Sequence, residues 1–116
     1  MTHYSEESSK ELRELFELEA LHWPQVTTRR MFGCPSYQVE GRLFAFLVDE
    51  GIVLTQLRQA EREALGEHQL TAEFQTGDRP IQHWIQVTVV NKRDLGYVMP
   101  FVRKSYEIAL ARALEK

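Results

Sequence analysis

The residues of this chain that could do chemistry are one cysteine, four histidines and seven cations at four places along the chain. Cys34 stands between Gly33 and Pro35 at a bend. A nucleophilic cysteine works as its thiolate, which a helix N-terminus, a facing cation or a paired histidine stabilises. Arg29 and Arg30 precede it, but strand alternation does not aim them at the sulfur, and a lone cysteine reads better as a small buried hydrophobe. His3, His22, His68 and His83 contain no i, i+4 pair and have no second cysteine to join, so no zinc-ligand spacing exists. His83 falls on the apolar parity of a strand and is expected to be a hydrogen-bonded core residue. An enzyme using Cys34 or His83 in a pocket is the alternative. Gly33 and Gly41 fit no phosphate loop, and Ser36 and Ser105 have no nucleophile-elbow context, so neither a cofactor nor a metal is expected.

Arg29, Arg30, Arg42, Lys92, Arg93, Arg103 and Lys104 are the candidates for a nucleic-acid surface, with Tyr37, Trp84 and Tyr97 as stacking partners. The net charge of -3 weighs against that use. Residues 1–25 carry six acids against two bases, and residues 91–116 carry six bases against three acids. The expectation is therefore that Arg93 and Arg103 meet Glu14 or Glu17 across a pair of terminal helices, which would neutralise the cluster. Tyr37, Arg42, Trp84, Arg93, Arg103 and Lys104 remain the candidate interaction surface.

These residues are positioned by a recognisable set of elements. Leu43 to Val48 is apolar at both parities, which marks a central strand buried on both faces. Glu40-Gly41 before it and Asp49-Glu50-Gly51 after it are turn chemistry. A strand from Thr28 to Phe32 running through a bend to Tyr37 and Val39, then Leu43 to Val48, then Ile52 to Leu57, is expected to form an antiparallel meander. Upstream, Ser5 or Ser8 can cap a helix whose Leu12, Leu15, Phe16, Ala20 and Trp23 share one face, stopped by Pro24. Downstream come a short helix from Arg58 to Leu65 closed by Gly66, a strand at Ala72 to Gln75, and a strand at Ile81 to Val90. Asn91 is a cap or turn residue, and Pro100 predicts a turn at Arg93 to Tyr97 with the last helix starting near the proline.

This order predicts a single α+β domain: an antiparallel sheet of about five strands with the N- and C-terminal helices on one face. At 116 residues the chain can bury a sufficient core without metal or disulfide. One cysteine, a polar start and no apolar run of bilayer length point to a cytoplasmic protein with no membrane partner. The second face of Leu43 to Val48 needs cover from sheet curvature, the short helix or a second subunit, and a homodimer is expected on that ground.

Arg29-Arg30-Met31-Phe32-Gly33, followed by Tyr37, Gly41, Phe44-Ala45 and Ile52-Val53-Leu54, resembles the N-terminal domain of TfoX/Sxy-type proteins, in which an Arg-x-Met-Phe-Gly bend leads into a strand meander. Gly77-Asp78-Arg79-Pro80-Ile81 with Trp84 looks like that family's second half, so the resemblance runs from about Thr27 to Leu114. The family often has glycine where this chain has Cys34. Its longer members, which regulate competence, carry a further domain that this sequence does not reach. The fold is similar to that of YjbR-like proteins, a relationship that has suggested DNA binding, and the family offers no established catalytic residues. The resemblance implies a small regulatory or protein-interaction module. In it Gly33 would permit the bend and Arg30 would hold a carboxylate or carbonyls across it.

Overall fold

The computed structural model describes residues 4–115, so His3 lies outside it. The elements are α1 (Glu6–Ala20), β1 (Val26–Met31), β2 (Cys34–Val39), β3 (Arg42–Val48), β4 (Gly51–Leu54), α2 (Gln59–Leu65), β5 (Thr71–Thr76), β6 (Arg79–Thr88) and α3 (Lys92–Leu114). The strands form one antiparallel sheet in the order β1-β2-β3-β4-β6-β5. The architecture is the α+β arrangement that the order of elements predicts, with six strands instead of about five.

The additional strand comes from the Arg-Arg-Met-Phe-Gly stretch. Met31 pairs with Cys34, so Phe32 and Gly33 alone reverse the chain, at φ of 56° and 76°. Positive φ at both central residues gives the mirror-image turn whose twist matches the flanking strands. The bend is thus a hairpin tip, and the Arg30 guanidinium clamps it by donating to the Gly33 carbonyl at 2.9 Å.

Both faces of β3 are buried because a bulge and a curved sheet serve it. Tyr37 pairs with Ala45 and Gln38 with Leu43, leaving Phe44 as the extra residue. Phe44 turns to the helices, where it meets Tyr106 at 5.5 Å and Trp23 at 6.1 Å, while Phe16 of α1 lies 4.7 Å from Tyr37. The buried Ser105 hydroxyl locks the bulge by donating to the Phe44 carbonyl at 2.7 Å and accepting from the Gln56 amide. On the opposite face Phe46 meets Phe74 at 5.0 Å, Trp84 at 5.6 Å and Phe32 at 6.2 Å. Phe32 and Phe74 come from the tip of the β1–β2 hairpin and from the far edge strand β5, and their rings are 6.0 Å apart. The sheet therefore curls until its two ends share one aromatic cluster, and this curvature covers the face for which a second subunit was invoked.

Two local expectations are corrected. α3 runs unbroken from Lys92 through Pro100. Its start is set by a reciprocal cap: Asn91 accepts from the Asp94 amide at 2.8 Å and Asp94 accepts from the Val90 amide at 3.1 Å. The proline removes one helical bond, and Gly96, one turn back, lies with Pro100 along an open groove between α1 and α3. At α1 the N-cap is Ser5, but its side chain makes no cap bond. The cap is supplied from the β3–β4 turn, where Asp49 accepts from the Ser5 amide at 2.8 Å and from the hydroxyls of Ser8 and Ser9.

Candidate functional site

The sheet is least regular at β6. Glu73 pairs with Ile85 and Gln75 with Pro80, so two steps along β5 are matched by five along β6, and three residues of β6 are extra. They fall within Ile81 to Trp84, four residues opposite the single Phe74. His83 takes the left-handed φ of 72° and stands exposed, which corrects the expectation of a core histidine: the bulge breaks the alternation that the sequence suggested. Trp84 is half-buried with its ring against Phe46 and Phe74, so it forms a floor and does not project freely. Beside this bulge lies an open trough of about 660 Å³ between α2 and the β5–β6 hairpin, with Glu63, Glu67 and Glu73 among its lining residues together with His83 and Trp84. Tyr97 belongs to its support, since its hydroxyl donates to the Ala64 carbonyl at 3.1 Å and ties α2 to α3.

The other candidate residues are placed elsewhere. Cys34 is buried, and that burial raises its thiol to about 11, against the nearby positive charge of Arg30. At neutral pH it is a neutral thiol and a poor nucleophile. Tyr37, proposed as an exposed contact residue, is fully buried, and its hydroxyl donates to Glu17 at 2.6 Å. Burial and that carboxylate raise its pKa strongly. Glu17 also accepts from Arg13, which grips Glu6 through both its Nε and a terminal nitrogen, and Tyr4 donates to the same Glu6. Hydrogen bonds first from Arg13 and then from Tyr4 bring Glu6 down to about 2. This chain of charges pins α1 to β2.

The terminal charges do not interleave as expected. Arg103 pairs with Glu107 of its own helix at 3.2 Å and lies over the rings of Trp23 and Tyr106, while Glu17 is taken by Arg13. Among the described residues no ion pair joins α1 to α3. Arg42, Arg93 and Lys104 are exposed, as are Arg29 and Lys92. They are split between two sides: Arg29 pairs with Ser36, which pairs with Phe46, and so lies in the row turned away from α3. Of the residues singled out from the sequence, His83 and Trp84 come together at the trough, Lys92 and Arg103 at the groove between α1 and α3, and Arg29 and Arg30 at a cavity beside Arg13 and Glu17.

Sequence reasoning missed Glu63, Glu67 and Glu73 as neighbours, because they sit in two elements and a connector with no shared local pattern. The groups of His, Cys, Asp and Glu among the described residues include none of three or more arranged to hold a metal ion. No described helix is long and apolar enough to cross a membrane. No protein-family model matches the chain, and no curated protein or solved structure is significantly similar to it.

Proposed function

We propose that this chain is a non-enzymatic protein-interaction domain of regulatory type, as the TfoX-like motif implies, and that its partner docks in the trough beside the β6 bulge. One observation carries the reading: three extra residues lift His83 out of the sheet at positive φ beside an open trough floored by Trp84. Bulges re-aim side chains, and non-glycine residues held at positive φ outside a tight turn cluster at binding sites. The partner is another protein and not a second copy covering β3, since the sheet's own curvature already covers Phe46. A reducing, cytoplasmic setting suits the single free, buried thiol of Cys34.

A photo-crosslinking residue placed at Gln82 tests this in cells. The expected result is one discrete protein adduct that is lost when Trp84→Ala is added and absent when the crosslinker sits at Glu14 on the exposed side of α1. Equal labelling from both positions removes the trough from consideration. Nucleic-acid binding is the competing reading for the exposed Arg42, Arg93 and Lys104. A tight complex with DNA at about 50 mM salt, weakening with a slope worth several phosphates, puts that reading first.

A further inference from the structure

The two edges of the sheet differ in how they are defended. β1 carries the exposed pair Arg29-Arg30, and charged side chains on an outer strand discourage pairing with another chain. β5, Thr71-Ala72-Glu73-Phe74-Gln75-Thr76, has no lysine, arginine or proline, and its one charge is negative. As the last strand of the sheet among the described residues, it presents backbone N–H and C=O groups on its outer side along Thr71 to Glu73, where no described strand neighbours it. The trough opens along the first half of this same strand, at Thr71, Ala72 and Glu73. Its charge is also one-sided. Glu63, Glu67 and Glu73 are all exposed, whereas the one cation in the lining, Arg62, is held at the start of α2 by donating to the Leu57 carbonyl at 2.5 Å.

Resting on the interaction reading above, we infer that the partner is an extended peptide rich in lysine or arginine, which adds to β5 as a further strand and sends alternate side chains into the trough. Main-chain pairing holds such a peptide and the side-chain pockets select it. Side chains on one face of a strand recur about every 7 Å, so successive basic residues reach first the Glu73 side and then Glu63 or Glu67 across the trough. The half-buried ring of Trp84 accepts the methylene stem of a lysine or the flat face of a guanidinium. His83, raised by the bulge, closes the end of the trough.

The probe is a labelled octapeptide alternating lysine and valine, followed by fluorescence anisotropy at low salt. Binding is expected, with at least about tenfold weakening in the Glu63→Lys, Glu73→Lys double variant, whose sites are exposed and whose melting should stay near wild type. N-methylation of alternate peptide amides keeps every charge and should also cost about tenfold, because it removes the added-strand hydrogen bonds. Equal binding of the N-methylated peptide overturns the added strand, and displacement by spermidine at equal concentration reduces the site to one for small cations. Preference for single-stranded DNA over the peptide overturns the inference. So does self-association in sedimentation that Glu73→Lys abolishes, since the basic β1 of a second copy is then the occupant. If the lysine-valine peptide fails while the crosslinker at Gln82 still captures its protein, the basic strand is wrong and the interaction domain stands. If both fail, the interaction reading falls with it.

Discussion

The β3–β4 and β5–β6 hairpins are the same kind of unit, two antiparallel strands joined by a tight turn, yet they have opposite fates. β3 and β4 sit in the middle of the sheet, where Ala45, Phe46, Leu47 and Val48 pair in unbroken register with Leu54, Val53, Ile52 and Gly51. β5 and β6 sit at the edge, and their register slips by three residues within one hairpin. A central strand is held from both sides, so a slip would move every side chain to the wrong face. An edge hairpin is held from one side, and the chain is free to spend residues on presenting side chains. The turns diverge in the same way: Asp49 of the first caps α1, whereas Asp78 of the second lies at an exposed tip.

The comparison breaks most severely at Phe46, whose ring joins the β3–β4 hairpin to Phe74 and Trp84 of the β5–β6 hairpin beyond the β4–β6 pairing. Phe46→Ala should cost about 3–5 kcal/mol, because the ring is the shared partner of Phe74, Trp84 and Phe32. Urea unfolding measures it, and a loss below about 1 kcal/mol shows that the curled aromatic face does not hold the sheet together. The next effect belongs to Gly51. A Cβ there would lie 2.7 Å from the Val87 carbonyl of β6, so Gly51→Ala must push the edge hairpin away from the centre at about 1–3 kcal/mol. Gly33 has open space around its missing Cβ and suffers only from its φ of 76°, so Gly33→Ala should be the milder of the two.

What was legible in the sequence follows the same division. Leu43 to Val48 announced a central strand because six apolar residues in a row allow few other placements, and the Glu40-Gly41 turn has a local signature. The β6 bulge was hidden because Ile81, His83, Ile85, Val87 and Val89 alternate as a regular strand would, and only pairing with a short β5 reveals the slip. Pro100 misled because the local rule against proline lost to the reciprocal cap of Asn91 and Asp94 and to the packing of the turns that follow. Ser105 gave no signal, and Asp49 read as a turn residue but not as a cap: their partners lie 61 and 44 residues away. The trough acids were unreadable as a group for the same reason.

Asp49 sharpens the contrast between the two turns. Hydrogen bonds from the Ser5 amide, then the Ser9 and Ser8 hydroxyls, lower its carboxyl below the ordinary 3.8. A lowered folded pKa gives stability that is fully present above 3.8 and lost as pH falls through the folded value. Asp49→Asn should therefore cost about 1 kcal/mol at pH 6, and the gap between variant and wild type should close as pH drops toward 2. Asp78→Asn should leave stability within about 0.5 kcal/mol at either pH. A constant gap across the acid range means that Asp49 acts by shape and not by charge.

The smallest effect is the most telling for the edge, because it asks whether the bulge is kept at a cost. His83 is a non-glycine residue at φ 72°, exposed, in a strand whose pairing with β5 is regular on either side of it. Glycine reaches that conformation without a clash between its Cβ and the backbone, so His83→Gly should not destabilise the fold and should gain up to about 0.5 kcal/mol, after its greater freedom in the unfolded chain is subtracted. Most exposed strand positions behave the other way and lose stability with glycine. Chemical unfolding of His83→Gly beside Gln86→Gly, which lies in the regular part of the same strand, gives the comparison directly. If both lose equally, the His83 side chain is a structural support in the bulge. If only Gln86→Gly loses, the bulge holds its histidine against local preference, and the trough beside it is the place where that cost is returned.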